Sequence, residues 1–129
     1  MNNSSPVITI DIRKGRIRIY KTTLRLLGRP NYIRLLVNPS TSFLVVEPLS
    51  APKDSYHRID WRMLDGKNSC ELYSNYLIQC LVKSCTNWED SDNMENYRIS
   101  GKYYTKDNIA AFDFKEAVPI SIAEEELYE

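Results

Sequence analysis

The sequence predicts a mainly β fold of the α+β class, with two short helices. Short runs in which apolar and polar residues alternate recur along the chain, as at residues 7–12 and 16–20. Such alternation is typical of half-buried strands. It gives way to leucines spaced for a helix at residues 22–28 and again at 74–85. The order hairpin, helix and strand pair therefore occurs twice, which predicts two units in one chain.

The first unit is predicted to cover residues 1–48. The runs VITIDI (7–12) and RIRIY (16–20) flank the short turn RKG, a pattern that indicates a hairpin. TTLRLLG (22–28) offers a threonine cap and ends in glycine, so it predicts a helix of about two turns. YIRLLV (32–37) and FLVVE (43–47) predict strands around the loop NPSTS.

A proline-containing linker, residues 49–55, precedes a second unit predicted at 56–118. Its strands are expected at YHRIDWRM (56–63), SCELY (69–73), YRISGKYY (97–104) and IAAFDF (109–114). Ser74 is placed to cap a longer helix that runs through about Cys85. The acidic residues 119–129 predict a frayed tail. The inward phase of these elements predicts a core that includes Leu24, Leu27, Leu36, Leu77, Leu81 and Phe112.

The charge of the chain is unevenly distributed, although 17 Lys and Arg balance 17 Asp and Glu. Residues 1–55 hold nine basic and three acidic residues, a net charge of +6, whereas residues 56–129 hold eight and fourteen, a net charge of −6. Residues 13–34 alone carry eight basic residues and no acid. This asymmetry indicates a surface that faces an anion. The alternative is that the two halves neutralise each other.

Several classes of function find no support in the sequence. No run of about 18 apolar residues and no secretory signal pattern is present, so we expect an intracellular, cytoplasmic protein with no membrane partner. Three cysteines make a poor disulfide framework. Catalytic motifs are missing, and His57 fits an ordinary strand residue. The acidic loop at 86–96 lacks the residue order of a calcium loop. We therefore expect no enzymatic activity, no metal and no cofactor.

A weak internal repeat accompanies the two units. IYKTTL (19–24) lies over LYSNYL (72–77) at a shift of 53 residues. The stretch DIRKGRIRIYKTTLRLLG resembles the AbrB/MraZ-like swapped-hairpin family, whose pattern is an Asp, a KGR turn, alternating isoleucines and a helix with LR and LG. The resemblance implies half-barrels built of hairpin, helix and strand pair. In the second unit Asp65 matches, but KNSCEL stands in place of the basic turn.

The resemblance also implies a DNA-binding transcriptional regulator, in which the basic turn and the helix entrance face duplex DNA. Arg16 and Arg25 match motif positions, and Lys14 lies in the matching turn. Outward arginines on a two-stranded ribbon can reach bases or phosphates in the major groove, so we expect Arg16 and Arg18 to be exposed. The predicted DNA-binding residues are Arg13, Lys14, Arg16, Arg18, Lys21, Arg25 and Arg29. Homodimerisation through the first unit would supply a second basic turn.

Two other interpretations remain open at the sequence level. The chain fits a non-enzymatic protein-binding protein of a phage or mobile element, for example an inhibitor of a host-defence nucleoprotein such as a CRISPR effector. Its acidic half, including Glu89, Asp90, Asp92 and Glu95, would then face a basic groove. A structural domain without a ligand is the third interpretation, and pairing of the hairpin arginines with carboxylates of residues 56–129 would favour it.

Overall fold

The computed structural model describes residues 5–83 and 96–120, and it has ten strands and three α-helices in these ranges. The strands of the first half are β1 (Val7–Asp11), β2 (Arg16–Tyr20), β3 (Tyr32–Asn38) and β4 (Phe43–Leu49). The second half contributes β5 (Tyr56–Arg58), β6 (Ser69–Tyr73), β7 (Asn96–Ser100), β8 (Lys102–Tyr104), β9 (Ile109–Asp113) and β10 (Val118–Ile120). The helices are α1 (Lys21–Leu26), α2 (Trp61–Leu64) and α3 (Asn75–Lys83).

The strands form two antiparallel sheets of five strands each. Sheet A has the order β10-β7-β1-β2-β6, and sheet B has the order β5-β3-β4-β9-β8. The mainly β architecture with short helices is therefore confirmed. Both sheets take strands from either side of the linker at 49–55, so the two predicted units interleave in shared sheets rather than each building its own.

The predicted hairpin of the second half is wrong, because its two strands lie in different sheets. β5 ends at Arg58 and pairs with β3, whereas β6 pairs with β2. The chain leaves the strand at Asp60, whose Oδ1 accepts the backbone N–H groups of Arg62 (3.1 Å) and Met63 (3.4 Å). An aspartate in this position starts a helix, and α2 follows directly. The local cap overrides the apolar alternation that predicted a strand through residue 63.

One hydrophobic core joins the two sheets. In sheet A, Ile8 lies opposite Ile19 and Ile10 lies opposite Ile17, and all four side chains are fully buried. The same cluster contains side chains of sheet B, among them Phe112. Of the six predicted core residues, four are buried as expected: Leu24, Leu27, Leu81 and Phe112.

The other two predicted core residues are less buried than expected. Leu77 is half-buried and packs against the core from α3. Leu36 is 42% exposed, so its prediction is wrong. Successive side chains of a strand point to opposite faces, and in β3 Ile33 and Leu35 occupy the inner phase. Leu36 therefore lies on the outer face of sheet B.

The predicted threonine cap of α1 is wrong, because the helix begins at Lys21 after Tyr20 without a side-chain cap, and Thr23 Oγ1 bonds the Val7 backbone instead. The other two capping signals of the predicted helices are confirmed. The backbone N–H of Arg29 donates to the Leu24 carbonyl (3.1 Å), and Gly28 adopts a φ of +91°, as in a Schellman ending. At the start of α3, Ser74 Oγ accepts the Leu77 N–H at 3.2 Å, which confirms the predicted cap. Helices α1 and α3 were predicted from the sequence, whereas α2 was not.

The C-terminal part of the described chain is more ordered than the acidic composition suggested. Pro119 and Ile120, which were assigned to the tail, belong to β10 and pair with Tyr97 and Asn96 of β7. Residues 121–129 and most of the acidic loop at 86–96 lie outside the described residues. None of the helices in the described ranges combines the length and the apolarity needed to cross a bilayer.

Truncation of Leu81 should destabilise the protein strongly. Leu81 of α3 is fully buried in the shared core, so Leu81→Ala should lower the free energy of unfolding by about 2–5 kcal/mol. Leu36→Ala removes the same atoms from an exposed position and should cost less than about 0.5 kcal/mol. Urea unfolding of both variants measures the difference. Equal losses would contradict the assignment of the two faces.

Replacement of Gly15 should also destabilise the fold. Gly15 has a φ of +65°, and a Cβ built there would lie 2.8 Å from Asn75 Cγ at the start of α3. Left-handed backbone is costly for residues with a side chain, so Gly15→Ala should cost about 1–3 kcal/mol. Gly66→Ala is the matched control, because nothing lies within 4 Å of its added methyl group. A neutral Gly15→Ala in thermal unfolding would show that this contact does not constrain the turn.

Candidate nucleic-acid interface

Arg16 is buried rather than exposed. It lies in β2 between Asp11 of β1 and Tyr73 of β6, and it is only 9% exposed. Its Nη2 lies 3.6 Å from Asp11 Oδ2. Asp11 Oδ1 also accepts the backbone N–H of Lys14 at 3.0 Å, which holds the turn of the hairpin. The prediction that Arg16 faces solvent is wrong, because neighbouring strands and a carboxylate enclose its position.

Arg18 forms an ion pair with the acidic half of the chain. Its Nε and Nη2 donate to Glu71 Oε2 at 3.2 and 3.0 Å, across the β2–β6 pairing. Partial burial tends to raise the pKa of Glu71, but the hydrogen bonds and charge of Arg18 outweigh it, and the pKa is lowered. This arginine therefore has a structural role between the two halves, as the alternative interpretation anticipated.

The basic stretch of residues 13–34 does not form one face. Besides the two paired hairpin arginines, Arg34 donates to Glu47 Oε1 at 2.7 Å on the outer face of sheet B. Arg13 and Lys14 are exposed at the hairpin turn. Lys21 follows the other end of β2, and a strand of five residues is roughly 14 Å long. The turn cations and those of α1 therefore lie at opposite ends of the hairpin.

The cations of α1 lie at the end of the molecule where α2 packs. Lys21 and Arg25 are four residues apart on α1, so they share one face of the helix. The Arg29 guanidinium lies over the Trp61 ring of α2, 4.1 Å from its centre. Trp61 Nε1 donates in turn to the Pro30 carbonyl at 2.8 Å. A cation on the ring face and a hydrogen bond from the ring N–H thus fix α2 against the segment that follows α1.

Further cations from the second half join this end. The backbone N–H of Lys21 donates to the Asn68 carbonyl at 2.8 Å, which places the exposed Lys67 beside α1. Arg58 lies opposite Tyr32 in the β3–β5 pairing, and Arg62 is exposed on α2. We call this set the α1–α2 basic surface: Lys21, Arg25, Arg29, Arg58, Arg62 and Lys67.

Only two carboxylates lie within the segments that form the α1–α2 basic surface. Asp60 is engaged as the cap of α2, and Asp65 is exposed at the end of that helix. Six cations against two carboxylates leave a net positive charge, a pattern suited to a polyanion.

Sequence reasoning found half of this surface and missed the rest. Lys21, Arg25 and Arg29 belong to the predicted set, whereas Arg58, Arg62 and Lys67 do not. These three alternate with Asp60 and Asp65 along the chain, so the segment has no conspicuous charge. Only the packing of α2 against the segment that follows α1 brings them to the first-half cations.

A groove adjoins the α1–α2 basic surface along strand β6. We call it the β6 groove; its volume is about 270 Å³. Two of its lining residues, Arg58 and Lys67, also belong to the basic surface. The most exposed apolar side chains that line it are Met63 and Tyr73, at 61% and 62%. Leu64 and Cys70 lie deeper, and burial, followed by the charge of Glu71, raises the pKa of the Cys70 thiol.

His57 and Cys80 line one groove together with residues of β3 and α3. His57 lies in β5 opposite Ile33, and burial lowers its pKa, so the imidazole is neutral at pH 7. Within residues 5–83 and 96–120, no three His, Cys, Asp or Glu side chains cluster as metal ligands would.

No family model, curated protein or solved structure matches this chain. The resemblance to the AbrB/MraZ-like family therefore stays a prediction.

The Arg18–Glu71 pair should make stability depend on pH. Because the folded-state pKa of Glu71 is lowered, the pair stabilises the fold above the unfolded-state pKa of about 4.3, and this contribution is lost as the pH falls through the folded-state value. Glu71→Gln should cost up to about 1 kcal/mol at pH 7, since the pair is partly exposed, and less at pH 3. Urea unfolding at both pH values checks this.

An Arg18→Gln background supplies the control for that experiment. Without the guanidinium, Glu71→Gln should cost much less at pH 7 and should show little change with pH. A cost that persists in this background would show that Glu71 acts through another partner.

Proposed function

We propose that this chain is a non-enzymatic DNA-binding protein that contacts duplex DNA through the α1–α2 basic surface. In this proposal the chain binds DNA as a small transcriptional regulator does, without changing the DNA chemically. The binding surface differs from the one that the sequence predicted, because Arg16 and Arg18 are committed to carboxylates. Lys21, Arg25 and Arg29 keep their predicted role as DNA-binding residues.

The observation that supports this proposal is the convergence of cations from both halves on one end of the molecule. The Arg29 guanidinium, just after α1, lies over the Trp61 ring of α2, Arg62 is exposed one residue further along α2, and Lys67 lies beside the start of α1. Backbone pairing and the Trp61 contacts hold these positions, so the surface is assembled before any ligand arrives. Preassembly reduces the conformational entropy lost on binding.

The same convergence of cations explains how the second half can contact DNA without a basic turn. Its predicted turn lacks basic residues, and a homodimer was one way to supply a second basic element. Arg58, Arg62 and Lys67 give the second half its own cations on the shared surface. One chain therefore brings two basic elements together, and a second copy is not required for that purpose.

The protein-binding alternative rested on the acidic loop and tail. Its named residues, Glu89, Asp90, Asp92 and Glu95, lie outside the described residues, and it stays a prediction. The α1–α2 basic surface gives the DNA proposal a described and charged site, which is why we favour it.

Reversal of two surface cations should weaken DNA binding. A surface that neutralises about four phosphates should give a slope of roughly −3.6 in log affinity against log salt. Arg25→Glu with Lys67→Glu removes about two contacts, so the slope should fall to roughly −1.8 and affinity should drop by about tenfold or more. Fluorescence anisotropy of a labelled duplex in increasing KCl measures both quantities.

The matched control is Lys14→Glu with Lys115→Glu, which changes the charge equally at exposed positions away from this surface. Lys14 lies at the hairpin turn, and Lys115 lies beside Phe114, whose N–H donates to the Ser42 carbonyl near the start of β4. This control should keep most of the affinity. Absence of salt-dependent binding by the wild type, or equal losses in both double variants, would contradict the proposal. Arg16 is unsuitable for this test, because a carboxylate in its place would be buried beside Asp11.

A further inference from the structure

The β6 groove is continuous with the α1–α2 basic surface. Arg58 and Lys67 line the groove and also belong to that surface. A DNA strand whose phosphates lie on α1 and α2 would therefore pass the opening of the groove.

The groove exposes side chains that a protein normally buries. Among the exposed large apolar side chains of the described residues, Tyr76, Tyr73 and Met63 are the three most exposed, at 81%, 62% and 61%. Two of them, Met63 and Tyr73, line the β6 groove. Below them Leu64 is 4% exposed and Cys70 is half-buried, so the floor is apolar.

The groove retains a small net positive charge, because Arg18, a cation outside its lining, neutralises one of its two carboxylates. Glu71 is bound by Arg18 and also accepts the Tyr73 hydroxyl at 3.2 Å. Asp60 is occupied by two backbone N–H groups of α2. The cations of Arg58 and Lys67 are exposed at the same groove. An apolar floor, an exposed aromatic ring and two cations are the groups that bind an unpaired nucleotide.

We propose that the β6 groove binds one unpaired base of a DNA strand whose phosphates lie on the α1–α2 basic surface. This inference rests on the proposed function and names the form of DNA that the site prefers. The groove follows β6 from Lys67 to Tyr73, which pairs with Arg16 at the turn end of the hairpin. The base lies against the Tyr73 ring at that end, while Arg58 and Lys67 hold phosphates toward the α1–α2 basic surface. At about 270 Å³ the groove is close to the lower limit of ligand pockets, roughly 300 Å³, which suits one ring system.

The preferred ligand is therefore DNA with a single-stranded overhang rather than a blunt duplex. Bases inside a duplex are stacked on their neighbours and cannot enter a side groove without the cost of unstacking. A base in an overhang enters without that cost. The blunt duplex retains only the phosphate contacts of the basic surface.

Three DNA ligands test this inference by fluorescence anisotropy: a blunt duplex, the same duplex with a thymidine overhang, and the same duplex with an abasic overhang of equal length. The two overhangs carry equal phosphate charge, so their affinity ratio reports the base alone. The wild type should bind the thymidine overhang about tenfold more tightly than the abasic one, which corresponds to one stacked base.

Variants of Tyr73 identify the groove as the site of that preference. Tyr73→Ala should bring the ratio close to one while leaving the affinity for the blunt duplex unchanged. Tyr73→Phe keeps the ring and should keep the ratio. Tyr104→Ala is the matched control, because Tyr104 is a similarly exposed tyrosine on β8, and it should behave as the wild type.

The outcomes separate this inference from the proposed function. Binding of all three ligands with equal affinity for the two overhangs would overturn the base site and leave the basic surface standing. An unchanged ratio in Tyr73→Ala would also overturn the base site. Failure to bind any of the three ligands at low salt would overturn both proposals.

Discussion

The central position of the β1–β2 hairpin in sheet A is the constraint on which the rest of the structure depends. β7 flanks the hairpin on one side and β6 on the other, and both flanking strands come from the second half of the chain. The inward isoleucines form the core, and Thr9, Asp11 and Arg16 on the opposite face are also buried. A charge in such a strand must be paired, because an unpaired buried charge is costly. Asp11 and Glu71 supply the pairing carboxylates for Arg16 and Arg18.

This pairing decides where positive charge remains available. The arginines of β2 hold the sheet together, and the ion pair with Glu71 joins the two halves of the chain. The cations on α1 and α2, beyond the end of β2, do not hold the strands of the sheet together. A neutral protein thus concentrates a net positive charge along α1, with the turn at Asn68 at the start of the helix and the Arg29–Trp61 contact beyond its end.

The hydrogen bonds of one residue, Asp60, determine the structure at the α2 end of the molecule. Asp60 caps α2, and the short helix places Trp61 under Arg29, leaves Arg62 exposed and puts Met63 in the β6 groove. Had the strand continued to residue 63, as the alternation suggested, these side chains would have alternated across a sheet. The cap therefore creates the second half of the basic surface and one wall of the groove together.

The sequence by itself determined the elements whose signals are local. The strands of the first half, the glycine end of α1 and the serine cap of α3 were predicted from residues within a few positions of each other, and most of the core followed from their phase. Only the tertiary structure decided that Arg16 is buried and that Leu36 lies on the outer face of sheet B. It also decided that cations from both halves of the chain share one surface. Alternation states which side chains share a face but not whether another strand or layer covers that face. Burial and charge pairing depend on contacts between residues more than 50 positions apart, such as Arg18 and Glu71, and a local pattern does not encode such contacts.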